Sequence, residues 1–438
     1  MSLLERTEML AGWGRFGPRA ARIKPFAGKI EARSIARGAG RAYGDSAIGA
    51  ALTYDMRGFN KMLAFDPQTG QLIAEAGVTI GEIIETFLPR GWFPYVSPGT
   101  KFVSLGGAIA ADVHGKNHHS EGSFCAFVDW IELVGPKGDV QRLTPTDELF
   151  GWTAGGMGLT GIILRAAIRL RPVETAYIKQ NTISAPNLEA AMEAFSKADD
   201  ATYSVAWIDC LAKGEALGRS LVMLGEHATL SELDYQAYPK PLIAPKRKKR
   251  SFPIDLPGFA LNSLSMRLFN DAYWRAGLRK TGETQVDWDN YFYPLDAILG
   301  WNKAYGRKGF VQFQCVLPDA TAKAGLTEIL TQTSTTGQGS LLAVLKRMGA
   351  QNSRVSFPMQ GYTLALDFPA NPKTLALLDQ LDAITLAHGG RLYLAKDARM
   401  SWETLHKSDP RMAEFRKWRG QKNLTEAFAS AQSERLDL

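Results

Sequence analysis

The sequence predicts an α+β protein, and three observations support this fold class. Short apolar strands alternate with glycine turns and helices through the N-terminal third. From about Glu174 the texture changes to helices, aromatic residues and longer loops, with paired strands predicted at FVQFQCVLP (310–318) and YTLALDF (362–368). After RLYLAKDAR (391–399), a predicted strand and turn, the chain is polar and helical. A length of 438 residues suits two domains.

Local signals justify the first elements in order. SIAR (34–37) is a predicted strand that enters a glycine turn. LIAEA (72–76) is a second predicted strand, and a helix follows it. The helix begins after Thr79, a favourable N-cap with Glu82 three residues later, and it ends at Gly91.

The next elements have equally clear patterns. WIELVGPKGDVQRL (130–143) predicts a hairpin with its turn at Pro136–Gly138. Residues 162–171 predict a long strand with one apolar face and a second face that becomes polar toward its end. NLEAAMEAFSKA (187–198) predicts a helix.

Composition excludes some classes of protein. Hydrophobic residues make up 45% and charged residues 22%, which is typical of a globular chain with a large core. No apolar run approaches the roughly 20 residues that a bilayer span needs, and MSLLERTEMLAGWGR does not resemble a signal peptide. Cys125, Cys210 and Cys315 are odd in number and lack CxxC spacing. We therefore expect a cytoplasmic protein with free thiols.

The net charge is +7, and one dense basic run stands out, KRKKR, from Lys246 to Arg250. A modest basic excess suits nucleic acid, anionic lipid or a phosphorylated ligand. A solvated loop explains such a run as readily as a surface for anionic headgroups does. The sequence leaves these two interpretations open.

Three of the six histidines, His114, His118 and His119, lie in the stretch SLGGAIAADVHGKNHHSEGSF (104–124). A metal site, a cofactor cradle and a solvated loop are the alternatives. Gly115 disfavours a helix that would bring His114 and His118 together, and no carboxylate or cysteine stands at a familiar ligand interval. We therefore predict no metal site.

Glycine-rich segments at Arg37–Asp45 and Ser97–Ala110, together with GGMGLTG (155–161), indicate a nucleotide cradle. Glycine lets backbone amides approach a bound group, and successive amides form concavities that bind anions. Neither of the first two segments is a Walker A loop or a good Rossmann fingerprint. Ordinary tight turns remain the alternative for each segment alone.

These motifs carry a resemblance to the flavin oxidoreductases of the vanillyl-alcohol-oxidase type. It extends from GWGR (12–15) to the C-terminal helices, through RGAGRAYGD, SPGTKFVSLGGAIAADVHGKNHHSEGSF, GGMGLTGI, YPLD with WNKAYG, and GGRLYLAKDAR. It implies a two-part FAD-binding domain and a substrate domain built on an antiparallel sheet with flanking helices. The implied bounds are 1–174 for the FAD-binding domain, 175–390 for the substrate-binding domain and 391–438 for a C-terminal segment returning to the first.

The chain also departs from the family. The stretch between Gly14 and Ile35 is short, so we expect an early helix to be missing. The basic run is not a feature that the family leads us to expect.

The resemblance assigns the site residues. Lys396 and His114 are the expected catalytic residues. The expected FAD-binding residues are Arg37, Gly38, Ala39, Gly40, Arg41, Ala42, Tyr43, Pro98, Gly99, Thr100, Ser104, Gly106, Gly107, Ala111, Val113, His114, Gly115, Gly161, Ile163, Tyr393 and Lys396. The expected substrate residues are Lys116, Trp207, Phe292, Gln312, Gln314, Lys346, Thr363 and Ala365. His118 and His119 are expected to orient their loop.

Some of these positions refine the expectation. Many relatives tether the flavin through a histidine, and Arg41 stands at that position, so FAD should be non-covalent. Close relatives can carry cysteine where this chain has Ala365, so the chemistry cannot depend on that thiol. Thr363 stands where a relative can carry asparagine, which can alter ligand selectivity.

The resemblance also implies a reaction. We expect oxidation of the C2 hydroxyl of a polyprenyl-phosphate-linked pentose to the 2-keto sugar, as the first half of an epimerisation in cell envelope biosynthesis. A separate NAD(P)H-dependent reductase would complete the epimerisation. The flavin accepts the hydride, and either His114 or Lys396 takes the hydroxyl proton. One alternative is an oxidase of a soluble alditol or aldonolactone. A nucleic-acid binder would rest on charge alone, and no nucleic-acid partner is expected.

The segment 240–270 is expected to be a mobile flap with peripheral membrane contact. Its like charges repel each other and its prolines discourage regular structure. Phe252, Leu256, Phe259 and Leu261 would enter the interface beside the prenyl chain.

Overall fold

The computed structural model describes residues 5–256, 261–340 and 342–438. The strands in these ranges are β1 (Arg6–Leu10), β2 (Arg19–Pro25), β3 (Ser34–Arg37), β4 (Leu52–Asp55), β5 (Met62–Asp66), β6 (Gln71–Glu75), β7 (Trp92–Pro94), β8 (Val128–Val134), β9 (Val140–Leu143), β10 (Ile162–Pro172), β11 (Tyr177–Ala185), β12 (Tyr203–Ile208), β13 (Ser220–His227), β14 (Arg250–Ser251), β15 (Gly282–Asp287), β16 (Ile298–Leu299), β17 (Phe310–Pro318), β18 (Ala343–Met348), β19 (Gly361–Pro369) and β20 (Arg391–Leu392). The α-helices are α1 (Ile80–Phe87), α2 (Leu105–Ala110), α3 (His118–Glu121), α4 (Glu148–Thr153), α5 (Leu188–Lys197), α6 (Ser263–Leu278), α7 (Trp288–Phe292), α8 (Asp319–Thr336), α9 (Pro372–Ala387), α10 (Trp402–Ser408), α11 (Arg411–Gln421), α12 (Leu424–Ala427) and α13 (Ala431–Arg435).

The N-terminal part forms two sheets. The first has the order β1-β2-β4-β3, with β4 parallel to both of its neighbours. The second has the order β5-β6-β10-β8-β9, with β7 also paired to β10, and its pairs are antiparallel. The predicted hairpin and long strand are confirmed as β8–β9 and β10. Residues 14–35 hold β2 and the first residues of β3 and no α-helix, as the short stretch implied.

Helix α1 shows how local sequence sets an element. The Thr79 hydroxyl accepts a hydrogen bond from the Glu82 amide, and the Glu82 carboxylate accepts one from the Thr79 amide at 2.7 Å. This capping box satisfies two backbone donors that the helix leaves unpaired, and such a cap contributes about 1 kcal/mol. Gly91, with φ of +83°, ends the short 3₁₀ turn that follows. The predicted start is therefore confirmed, whereas the α-helix itself ends at Phe87 and Gly91 ends only the turn that continues it.

The larger sheet has the order β15-β11-β13-β12-β18-β19-β17-β20 and is antiparallel. The predicted pairing of β17 with β19 is confirmed, with Gln314 opposite Ala365. Phe313, Cys315 and Leu317 belong to the core that includes residues of α8 and α9. Successive side chains of a strand point to opposite faces, so Gln312 and Gln314 project from the other face of β17.

The segment 240–270 corrects one expectation. It was predicted to lack regular structure, but α6 begins at Ser263, and β14 pairs in parallel with β16. Arg247, the second residue of the basic run, donates to the carbonyl oxygens of Asp289 and Tyr293 at 3.0 Å. Phe259 lies outside the described residues.

The C-terminal residues meet the first sheet. The amide of Ala429 donates to the carbonyl oxygen of Ser34, and Arg435 donates to the Asp45 carboxylate at 2.8 Å. Within the described ranges, no helix combines the length and the apolarity needed to cross a bilayer.

Candidate active site

A cavity of about 450 Å³ lies between the glycine loops and the larger sheet. The expected FAD-binding residues that line it are Gly38, Ala39, Gly40, Arg41, Ala42, Tyr43, Pro98, Gly99, Thr100, Ser104, Gly106, Gly107, Ala111, Val113, His114, Gly161, Ile163, Tyr393 and Lys396. The expected substrate residues that line it are Gln312, Gln314, Lys346 and Ala365. One space therefore brings together most residues of both sets.

The first glycine loop is built to approach a bound group closely. Gly40 has φ of +64°, a left-handed conformation that favours glycine. A Cβ at Gly38 would lie 2.0 Å from Ser104 Oγ, so the first and second glycine loops touch where both line the cavity. Within the described residues, the amides of positions 39–42 donate to no protein acceptor. Such a row of free amides forms a nest for anionic oxygens, so the loop fits a pyrophosphate.

Arg41 lies between two aromatic rings at the cavity wall. Its guanidinium carbon is 4.3 Å from the ring centroid of Trp13 and 5.1 Å from that of Phe102. Its Nε is buried and has no hydrogen-bond partner among the described residues. The two rings hold the guanidinium in place by cation–π contact, which leaves its donors for a ligand.

Two of the expected FAD-binding residues lie outside the lining. Arg37 turns its guanidinium back to the carbonyl oxygens of Ala11 and Ala47. At Gly115 a Cβ would lie 2.5 Å from Asn117 Oδ1. Both residues shape the loops from behind, and neither reaches the cavity.

Four of the expected substrate residues also lie outside the lining. Lys116 is half-buried and donates to the carbonyl oxygens of Tyr291 at 2.9 Å and Phe292 at 3.2 Å. The Phe292 ring packs in an aromatic cluster, 5.0 Å from the Tyr203 ring.

Trp207 and Thr363 form a second layer in the same way. Trp207 lies against Tyr273 of α6, with 4.7 Å between the ring centroids. Thr363 accepts a hydrogen bond from Gln314 Nε2 at 3.2 Å. These residues support the cavity wall rather than face it.

The histidine pair His118 and His119 is engaged in hydrogen bonds. His118 Nδ1 accepts from the Gly349 amide, so its Nε2 donates to Gln351 Oε1 at 2.7 Å. His119 Nε2 donates to the carbonyl oxygen of Ala201 at 2.7 Å. No group of three or more potential metal ligands occurs in the part of the chain that the structure describes. The hydrogen bonds of His118 and His119 anchor the loop that carries His114.

His114 is held neutral at the cavity. Gln314 Nε2 lies 3.1 Å from His114 Nε2 and donates to it. Burial, and then the positive charges of Lys346, His118 and Lys396, lower the pKa of His114 well below its usual value. Because Nε2 accepts from Gln314, the neutral imidazole carries its proton on Nδ1, which has no hydrogen-bond partner among the described residues. The ring can therefore donate a hydrogen bond to a ligand, and it is a weak base.

Lys396 sits over the ring of Tyr43, 3.9 Å from its centroid, and both residues line the cavity. Burial lowers the pKa of Lys396, and the carboxylate of Asp367 opposes this shift. Asp367 is fully buried and accepts a hydrogen bond from Gln312, while its Oδ2 has no partner among the described residues. Burial raises the pKa of Asp367. A lysine poised in this way can take a proton and then hold a positive charge.

The sequence analysis missed several residues of this site. Trp13, Phe102, Asp296 and Trp301 line the cavity. All four lie in stretches that carry the resemblance, so a signal existed; these stretches are GWGR, SPGTKFVSLGGAIAADVHGKNHHSEGSF, YPLD and WNKAYG. No sequence signal pointed to Asp367, because a buried aspartate within an apolar strand is evident only when the strands are paired.

Comparison with known proteins agrees with this geometry. Residues 21–144 match a family described as an FAD binding domain. A decaprenylphosphoryl-beta-D-ribose oxidase from Mycolicibacterium smegmatis is 35% identical over 99% of this chain and 98% of its own length. An uncharacterized protein in the mprA 5' region of Streptomyces coelicolor is 33% identical over 82% of this chain and all of its own. A D-lactate dehydrogenase from Anaerostipes hadrus is 23% identical over 31% of this chain.

The fold and the site define an FAD-dependent oxidoreductase. The nest at residues 39–42 fits the pyrophosphate of FAD, and it opens into the cavity that Lys396 also lines. With similarity over nearly its whole length, the chain belongs to the family of the decaprenylphosphoryl-beta-D-ribose oxidase.

Proposed function

We propose that the chain oxidises the C2 hydroxyl of a polyprenyl-phosphate-linked pentose to a ketone, as the first half of an epimerisation in cell envelope biosynthesis. A separate NAD(P)H-dependent reductase would complete the epimerisation. The observation that supports this most is the meeting of the glycine cradle with Gln312, Gln314, Lys346 and Lys396 in one cavity. The polar sheet face can bind a sugar beside the flavin.

The residues divide the chemistry as follows. Bound FAD supplies the hydride acceptor. Lys396 takes the hydroxyl proton, because its lowered pKa makes the neutral amine accessible near neutral pH. Having taken it, Lys396 carries the positive charge that stabilises the reduced cofactor. His114, held by Gln314, orients the sugar through its neutral ring.

FAD is non-covalent in this proposal. Arg41 cannot form the tether that a histidine provides, and its place between Trp13 and Phe102 leaves it free to hydrogen-bond the cofactor. After acid precipitation of the purified protein, flavin absorbance should appear in the supernatant. Flavin that stays in the pellet would contradict this part of the proposal.

We also propose that the chain contacts the membrane peripherally through 240–270 and works on the cytoplasmic side. Lys246, Lys248, Lys249 and Arg250 are exposed, and β14 pairs with β16, whose two residues line the cavity. The basic run therefore lies beside the cavity rim, where a lipid phosphate would enter.

We also propose three parts of the chain: an FAD-binding domain at 1–174, a substrate-binding domain at 175–390 and a C-terminal segment at 391–438 that returns to the first domain.

A comparison of substrates tests the function. The FAD-loaded protein, mixed anaerobically with a short-chain prenylphosphoryl-ribose, should lose its flavin absorbance and form a 2-keto product. A soluble alditol or aldonolactone should leave the spectrum unchanged. Reduction by the soluble sugar alone would favour the alternative oxidase.

A further inference from the structure

We propose that Lys346 is the anchor of a phosphate subsite in the cavity wall, distinct from the nest that fits the pyrophosphate of FAD. The inference rests on the proposed function for the identity of the natural ligand, a prenyl phosphodiester of a sugar. The subsite itself is argued from charge and burial.

The cavity has more cationic than anionic side chains on its wall. Arg41, Lys346 and Lys396 line it, whereas Asp296 is the single carboxylate among its described lining residues. The Asp296 carboxylate already accepts from the Thr100 hydroxyl at 3.1 Å and the Lys101 amide at 2.9 Å. A positively charged, low-dielectric cleft attracts anions.

Lys346 is the cation without a counter-charge. It stands on β18 opposite Thr363 of β19, and the described residues offer it neither an ion pair nor a hydrogen bond. By contrast, the Arg41 guanidinium has cation–π contacts with Trp13 and Phe102. The Lys396 ammonium has a cation–π contact with Tyr43 and is attracted by the carboxylate of Asp367. Lys346 is half-buried on the cavity wall, so its ammonium is partly shielded from water, and a bound anion would supply the partner that it lacks.

The groups that surround Lys346 reinforce the argument. Burial lowers the pKa of His114, Lys116, His118 and Lys396, and the charge of Lys346 lowers each of them further. Burial lowers the pKa of Lys346 itself to about 8, which leaves it mostly protonated at pH 7. An anion bound there would face a cation below pH 8 and a neutral amine above it.

The subsite gives the substrate an orientation. With its phosphate on Lys346, a pentose reaches along the polar face of the sheet toward Gln314, His114 and Lys396, which line the same cavity. Lys116 lies behind this wall, tied to two backbone carbonyls, and adds charge without contact. Recognition of the phosphate would thus place the sugar hydroxyls at the catalytic residues.

Binding of inorganic phosphate and of a short prenyl phosphate to the FAD-loaded protein tests the subsite. Calorimetry should show that Lys346→Met weakens both by about ten- to a hundredfold, because a charge-assisted hydrogen bond is lost. The matched control is Lys308→Met, which removes an exposed lysine and should change neither affinity. Wild-type affinity should fall as the pH rises through about 8.

Several results would overturn the subsite. One is an unchanged affinity of Lys346→Met for the two phosphates, and another is an equal loss of affinity in Lys346→Met and Lys308→Met. A third is loss of FAD from Lys346→Met while its phosphate affinity is unchanged. Tighter binding of the prenyl phosphate than of inorganic phosphate would identify a lipid phosphate as the ligand, and equal affinity would identify free phosphate. If the Lys346 dependence holds and prenylphosphoryl-ribose is not oxidised, the subsite stands and the proposed function fails. If the sugar is oxidised and Lys346→Met leaves its KM unchanged, the function stands and the subsite fails.

Discussion

The contact between the two glycine loops can be broken and repaired by substitution. Gly38 does not have a left-handed backbone, so alanine there adds only steric strain. Its Cβ would lie 2.0 Å from Ser104 Oγ and 3.0 Å from Ser104 Cβ, and both atoms belong to one side chain. In Gly38→Ala, the Ser104 side chain or the loops themselves must therefore shift where both loops line the cavity.

The expected cost follows from this overlap. Overpacking of a close contact costs about 1–3 kcal/mol, which corresponds to about 5- to 150-fold weaker FAD binding. Ser104→Gly removes both clashing atoms, and glycine at the N-cap of α2 costs only a few tenths of a kcal/mol. The double variant Gly38→Ala with Ser104→Gly should recover most of the affinity.

Titration of the apo-protein with FAD, followed by quenching of flavin fluorescence, measures this cycle. Ser104→Ala is a matched control, since it removes Oγ but keeps Cβ at 3.0 Å and should rescue only in part. Wild-type affinity in Gly38→Ala, or a double variant no better than Gly38→Ala, would show that the touching loops do not form the cradle.

Three further predictions concern the catalytic wall and the rim. Lys396→Met should keep its FAD and lose about 10²–10³ in turnover, as enzymes do when a preorganised charge is removed; near-normal turnover would reassign the proton to another group. In Asp367→Asn the pKa of Lys396 should fall further, because the carboxylate that raises it is gone, so the kinetic pKa of flavin reduction should move to lower pH. An unchanged pH profile would remove Asp367 from the mechanism. Serine at the four exposed basic residues of 246–250, with Arg247 kept because it is bound to backbone carbonyls, should weaken binding to anionic liposomes by about 1 kcal/mol per residue. Removing four exposed lysines elsewhere, Lys373, Lys407, Lys417 and Lys422, should weaken it less, and equal loss would indicate nonspecific charge.

Elements with strong local signals could be predicted from the sequence. The capping box at Thr79 and Glu82 and the alternation in 162–171 each depend on neighbours in the chain, and the structure contains both elements. The segment 240–270 could not be predicted in this way. Its prolines and like charges argue against regular structure, but tertiary contacts of Arg247 and pairing with β16 hold it.

The candidate active site shows the same distinction between local sequence signals and tertiary contacts. Glycine loops have a compositional signal, and most of their residues line the cavity. No signal in the sequence predicted the environment of Lys396. Asp367 is brought there by the pairing of β17 with β19 and by the hydrogen bond from Gln312. Trp207 illustrates the opposite case, since α6 lies over a strand residue that the resemblance placed at the substrate.

Rapid mixing of the FAD-loaded protein with prenylphosphoryl-ribose carrying deuterium at C2 tests the central claim most directly. If hydride leaves C2 beside Lys396, flavin reduction should be slower with the C2-deuterated sugar than with the unlabelled one, and deuterium at C3 should have no such effect. Equal rates for the C2-labelled and unlabelled sugars, or slowing by the C3 label alone, would contradict oxidation at C2.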